Sequence, residues 1–175
     1  MSEIVIKQLD NPTYIKEIRD IFFENSVKKD FKDDVERDAF FWKYVGFYIV
    51  NKPEQVFVAV SDKVLGYCLG STSTYELKLV ECQPHLNVFR DQFKEFPAHL
   101  HVNCRAGSTG QGIGSRLIKH FENHLQQMNI TGVHIVTSPD AENRFFYDRA
   151  GYSHHLIRPF SGHDLLLMGK TLKGF

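Results

Sequence analysis

Apolar and polar positions follow two periods along this chain. In His99–Arg105, Leu100, Val102 and Cys104 fall on one side and His99, His101 and Asn103 on the other, which predicts a strand. From Ile113 the period lengthens. Ile113, Leu117, Ile118, Phe121, Leu125 and Met128 share one helical stripe. Towards the start, Glu3–Leu9 alternates around Ile4 and Ile6 and predicts a first strand. Asn11-Pro12 then offers an N-cap and a first helical residue, and Ile15, Ile18, Ile21 and Phe22 carry a stripe to about Asn25. Lys28–Asp38 mixes charges of both signs and predicts an exposed turn or loop. Asp38–Tyr48 is aromatic-rich and predicts a helix, broken by Asn51-Lys52-Pro53.

Gln55–Val60 and Val64–Ser71 predict two strands joined at Ser61-Asp62-Lys63, hence a hairpin. Tyr75–Phe96 is divided by Pro84. The part after it spaces Leu86, Phe89 (or Val88), Phe93 and Phe96 near a helical period, so this stretch predicts a helical excursion. Gly132–Ser138 predicts a strand, with Val133 and Ile135 inward and His134 and Val136 opposite. Ala141–Ala150 predicts a short helix stopped by Gly151. Tyr152–Ile157 and Asp164–Gly169 predict two closing strands. Early hairpin, central βαβ unit and late strands imply an α/β (α+β) fold with a mixed sheet covered by helices on both faces.

Composition narrows the class. The 175 residues suit one domain, 1–175, and 42% hydrophobic with 24% charged residues fits a soluble globular chain. Lys+Arg and Asp+Glu are both 21, so bulk charge gives no support to nucleic-acid or anionic-membrane binding. No apolar run approaches the ~20 residues that span a bilayer, and Met1–Lys7 lacks a signal-peptide layout. Cys68, Cys82 and Cys104 form neither a disulfide framework nor a zinc pattern, and suggest a reducing, cytoplasmic setting.

Between the His99 strand and the following helix lies Ala106-Gly-Ser-Thr-Gly-Gln-Gly-Ile-Gly114. A strand feeding a glycine-rich turn at a helix N-terminus leaves backbone N–H groups facing outward, and such a turn binds phosphates. A P-loop requires lysine where Ile113 stands, and a dinucleotide-binding fingerprint requires a third glycine where Ser115 stands. The run Gly110-Gln-Gly-Ile-Gly114-Ser-Arg-Leu-Ile instead resembles the acetyl-CoA loop of GNAT-superfamily N-acetyltransferases, usually Gln/Arg-x-x-Gly-x-Gly/Ala. Leu100-His-Val-Asn-Cys104 resembles that family's fourth strand, Gly132–Pro139 its fifth, and Phe146-Tyr-Asp-Arg-Ala-Gly-Tyr152 its Phe-Tyr-x-x-x-Gly-Phe/Tyr signature. Glu76–Phe96 reads as an insertion between the third and fourth strands, similar to the subgroup related to the acetyltransferase-like domain of O-GlcNAcase.

The resemblance implies a GNAT-like, mostly antiparallel sheet of about seven strands, splayed between the fourth and fifth. It implies a domain that transfers acetyl from acetyl-CoA to an amine acceptor, as a monomer or homodimer. Thr109, Gly110, Gln111, Gly112, Ile113, Gly114 and Ser115 would take the pyrophosphate. Asn103, Cys104 and Arg105 would border the pantetheine arm, with a backbone N–H near Cys104 polarising the thioester. Tyr147 stands at the position of the family's usual acid, and Asn143 one turn earlier could bond the arm. Thr109 replaces the usual Gln or Arg, and Asn103 and Ser73-Thr74 stand where the subgroup often has carboxylates. The same resemblance leaves open a silent acetyl-CoA-binding module. From the residues themselves, Glu24, the carboxylates around Asp30–Asp34, His99 and His101 are candidate general bases. Cys104 reads as a packed thiol, and His120 and His124 as surface residues rather than metal ligands.

Overall fold

The computed structural model describes residues 3–108 and 110–172, with Leu77 described by its backbone alone. Strands β1 (Val5–Gln8), β2 (Val56–Val60), β3 (Val64–Ser71), β4 (Ala98–Cys104), β5 (Gly132–Thr137), β6 (His154–Phe160) and β7 (His163–Thr171) are hydrogen-bonded in the order β1-β2-β3-β4-β5-β7-β6. The helices are α1 (Tyr14–Asn25), α2 (Asp34–Phe41), α3 (Phe47–Asn51), α4 (Leu77–Cys82), α5 (Ile113–Gln127) and α6 (Asn143–Arg149). By its contacts the chain divides into two compact units, Met1–Gly70 with His101–Phe121, and Ser71–Leu100 with Glu122–Phe175.

In the first unit β2 pairs antiparallel with both β1 and β3. Every residue of β2 is buried, which explains the continuous Val-Phe-Val-Ala-Val in place of strict alternation. Ile18, Ile21 and Phe22 of α1, Phe41 of α2, and Val45, Phe47 and Tyr48 join Ile113, Leu117, Ile118 and Phe121 of α5 among its buried apolar side chains. The helix start is later than Asn11-Pro12 predicted. Asn11 still caps a turn there, its side chain accepting from the Thr13 N–H at 3.0 Å, and the α-helix follows at Tyr14. The predicted loop after Lys28 is shorter than expected. Asp33 caps α2 by accepting from the Glu36 N–H at 2.8 Å, so the helix begins at Asp34. A π-helical turn, Trp42–Gly46, joins α2 to α3, and α3 ends ahead of Pro53.

In the second unit β4 and β5 run parallel, in register at Ala98↔Val133 and His99↔His134. The antiparallel partners of β5 and β6 are both β7. Pro84–Lys94 is a 3-10 run kinked at Phe89, not an α-helix, and buries Leu86, Phe89 and Phe93. Each fully buried aromatic of this kind contributes roughly 2–3 kcal/mol of transfer free energy. β6 lies at the sheet edge, alternates in burial and carries Pro159, which suits an edge strand. Met128 leaves the predicted stripe: it follows the last residue of α5 and is 47% exposed. Among the described residues no helix is long and apolar enough to cross a membrane.

Candidate active site

In the first unit the end of β4 is held from two sides. Alternation along a strand turns successive backbone groups to opposite edges. The Arg105 N–H donates to the Leu65 carbonyl on β3 at 2.8 Å, so the backbone groups of Cys104 face the other edge. There Asn25, at the end of α1, donates its side-chain amide to the Cys104 carbonyl at 2.9 Å. Glu24 accepts from the Ala106 N–H at 3.0 Å and lies 3.7 Å from the Arg105 guanidinium. Arg105 also donates to the Val64 carbonyl at 2.8 Å and to Glu17 at 3.2 Å. Both the backbone N–H and the side chain of Arg105 are therefore committed to structure. Glu24, a candidate base by sequence, serves as a backbone anchor for a residue 82 positions away.

The turn that follows needs its glycines for conformation. Gly107, Gly110 and Gly112 have φ of 80°, 81° and 69°, where a Cβ is strained, although open space surrounds all three. The Ser108 N–H returns to the Arg105 carbonyl at 3.0 Å. The Arg116 N–H bonds the Gly112 carbonyl at 3.0 Å, the i→i−4 pattern that opens α5. The N–H groups of Ile113, Gly114 and Ser115 come before it and have no intrahelical acceptor. Alternating left-handed glycines with a helix N-terminus form an anion-binding concavity. Ile113 is 2% exposed and pins that helix start to the core. Thr109 lies outside the described residues. Gln111 and Arg116 face an open cavity of about 830 Å³, shared with Ser61, Asp62 and Lys63 of the β2–β3 turn.

Asn103 meets two neutral side chains. Its amide donates to the Tyr67 hydroxyl at 2.9 Å and to Nε2 of His101 at 3.0 Å. Nε2 is thus an acceptor, and the proton of a neutral His101 sits on Nδ1. Burial pushes His101 down to about 4, against a smaller upward pull from Asn103. A histidine neutral throughout the physiological range, with Nε2 already engaged, is a poor general base. Burial likewise pushes the Cys104 thiol up to about 11, which removes it as a nucleophile at neutral pH. His120 packs edge-on against Phe57, centroids 4.8 Å apart.

In the second unit α6 carries Tyr147 and Asn143. Tyr147 is 6% exposed. Its ring meets Phe146 and Tyr152 at centroid distances of 5.2 and 5.6 Å. Asn143 accepts from the Thr137 hydroxyl at 2.9 Å, tying the start of α6 to the end of β5 and leaving its amide N–H₂ as the end that can donate. His99, another candidate base, is 5% exposed. Thr74 donates its hydroxyl to the Pro97 carbonyl at 2.9 Å, so its oxygen accepts from Nδ1–H of His99, also at 2.9 Å.

This order along the chain, an N-terminal helical region, a glycine turn after the fourth strand and a tyrosine helix after the fifth, has a known counterpart. Residues 14–152 match the sequence profile of the acetyltransferase (GNAT) family, and the chain belongs to that family. Its fold is shared with solved structures of low sequence identity. SsHAT superimposes with a TM-score of 0.73 at 21% identity, covering 98% of this chain and 99% of that one. A ribosomal-protein-alanine N-acetyltransferase from Brucella melitensis gives 0.65 at 15%, covering 96% and 99%. The yncA protein from Salmonella typhimurium, solved with its cofactor acetyl-CoA, gives 0.63 at 15%, covering 98% and 95%.

Proposed function

We propose that this chain transfers the acetyl group of acetyl-CoA to a primary amine of a small molecule or protein, in a sequential ternary complex. The glycine turn at the start of α5 carries the reading: three left-handed glycines precede N–H groups that have no intrahelical acceptor, a geometry suited to a pyrophosphate. Gly110 to Ser115 hold the phosphates. The edge of β4 away from β3 presents the Cys104 N–H, which polarises the thioester carbonyl. Arg105 is occupied by Leu65, Val64 and Glu17, so it supports the strand and does not pair with the pantetheine arm. The amide of Asn143 donates to that arm. As the amine nitrogen forms its bond to the carbonyl carbon and the carbon–sulfur bond breaks, Tyr147 gives its phenolic proton to the departing sulfur; the proton shed by the nitrogen passes to solvent, from which the phenolate is reprotonated. Segment 76–96 supports the likeness to the O-GlcNAcase-related subgroup. Cys68, Cys82 and Cys104 form no disulfide, which suits a reducing cytoplasm.

One observation favours a second reading, a catalytically silent acetyl-CoA-binding module. Glu24, His99 and His101 are each tied to structural partners. Thermal shift with acetyl-CoA, followed by CoA release against a panel of amino sugars, polyamines and peptide N-termini, separates the two. Stabilisation with turnover supports the transferase, and stabilisation without turnover on any acceptor supports the silent module. An intact fold stabilised by ATP or NAD but not by acetyl-CoA would sink both.

The turn supplies a sharper test. Gly112→Ala keeps the space but makes φ of 69° unfavourable by about 1–2 kcal/mol. The free loop relaxes away from the anion-binding shape, and acetyl-CoA must restore it. Calorimetry is expected to show Kd raised about tenfold, with the melting temperature little changed.

A further inference from the structure

We propose that Lys170, held by Glu122, is a positioning residue for Tyr147. This rests on the acid role assigned to Tyr147 above. Glu122, near the end of α5, is 2% exposed and faces inward. Lys170 on β7 donates to both of its carboxylate oxygens, at 2.7 and 2.8 Å. The same ammonium donates to the Ala150 carbonyl at 2.8 Å. That carbonyl is one of the last of α6, where a helix has acceptors without donors of its own.

Two routes lead from this contact to Tyr147. The first is backbone: the Ala150 and Tyr152 N–H groups both donate to the Tyr147 carbonyl, each at 3.0 Å. Fixing Ala150 therefore fixes the turn in which the Tyr147 carbonyl accepts two hydrogen bonds. The second is through rings: Lys170 lies over Tyr152, 5.5 Å from its centroid, and Tyr152 packs on Tyr147. The other end of α6 is held by Thr137 on Asn143. A seven-residue helix is too short to hold its own geometry in water. Clamped at both ends, it can hold a phenol to the tolerance that proton transfer needs.

A lysine satisfied by a buried carboxylate could serve stability alone, and kinetics tell the two roles apart. Turnover is read by CoA release with the fastest amine of the panel above, on protein whose circular dichroism matches wild type. Lys170→Met is expected to lower kcat about 10- to 100-fold and to leave KM for acetyl-CoA nearly unchanged. Lys170→Arg restores part of the rate. Tyr147→Phe combined with Lys170→Met is no slower than Tyr147→Phe alone, as expected for residues acting as one unit. If Lys170→Met does not fold, Glu122→Gln, which weakens the hold and keeps the shape, is read in the same assays. A folded variant with lower melting temperature but unchanged kcat overturns the positioning role while Tyr147→Phe still collapses turnover. Should Tyr147→Phe leave kcat intact, the acid reading itself fails and this proposal falls with it.

Discussion

Tyr147→Phe is expected to lower kcat about 100-fold, with Kd for acetyl-CoA nearly unchanged. The substitution removes one oxygen and keeps the ring, so the contacts with Phe146 and Tyr152 survive. At 6% exposure the site has little bulk water to supply a substitute proton. General-acid catalysis contributes from about 100- to 10,000-fold. The leaving group sets where in that range the effect falls. A thiol of pKa about 8.5 departs as a tolerable thiolate, so the loss lies near the lower end. Steady-state CoA release reads kcat, and calorimetry with acetyl-CoA reads Kd. A folded Tyr147→Phe with unchanged kcat would mean that the thiolate leaves unaided and that Tyr147 is packing.

The sequence revealed this much because the features that carry the fold are local. The period change between Cys104 and Ile113, the hairpin turn at Ser61-Asp62-Lys63 and the stop at Gly151 all lie within a few residues of the elements they define. Glycines at 107, 110 and 112 announce left-handed backbone without any partner. The start of α2 was also local but was masked by charge. Asp33 and Glu36 form a capping pair, yet the surrounding run of acids and lysines resembles a solvated loop. What stayed hidden is long-range. Nothing near Glu24 shows that its carboxylate meets the Ala106 N–H, or that Asn25 reaches Cys104. Arg105 was expected at the strand edge that borders the pantetheine arm; that its N–H meets Leu65 and its guanidinium meets Val64 and Glu17 is equally long-range. Burial is hidden for the same reason: alternation assigns His134 a side of β5 but cannot show that Pro84–Lys94 covers it, with Phe93 stacked on its ring at 5.2 Å.

That covered histidine makes acid stability a measurable property of the fold. His134 is fully buried; its Nδ1–H donates to the Phe96 carbonyl at 2.8 Å, and its Nε2 has no hydrogen-bond partner among the described residues. The His99 ring lies 5.9 Å away. Burial pushes His134 from 6.5 to about 4, against smaller upward pulls from the Phe96 and Ala98 backbone. The unfolded chain therefore takes up this proton first, and between pH 6.5 and about 4 it binds more protons than the folded one. The stabilisation is complete above pH 6.5 and is lost as the pH falls through that window. One pKa unit corresponds to about 1.4 kcal/mol, so the loss at His134 alone is roughly 3 kcal/mol. His101, also lowered to about 4, adds a loss of the same sign in the first unit. His134→Phe forgoes the bond to Phe96, which costs about 1 kcal/mol above pH 6.5, and it removes the titration. Urea unfolding at several pH values should then show two lines that cross: the variant less stable at pH 7 and more stable near pH 4.5. Parallel lines would mean that the His134 imidazole is not held neutral in the fold.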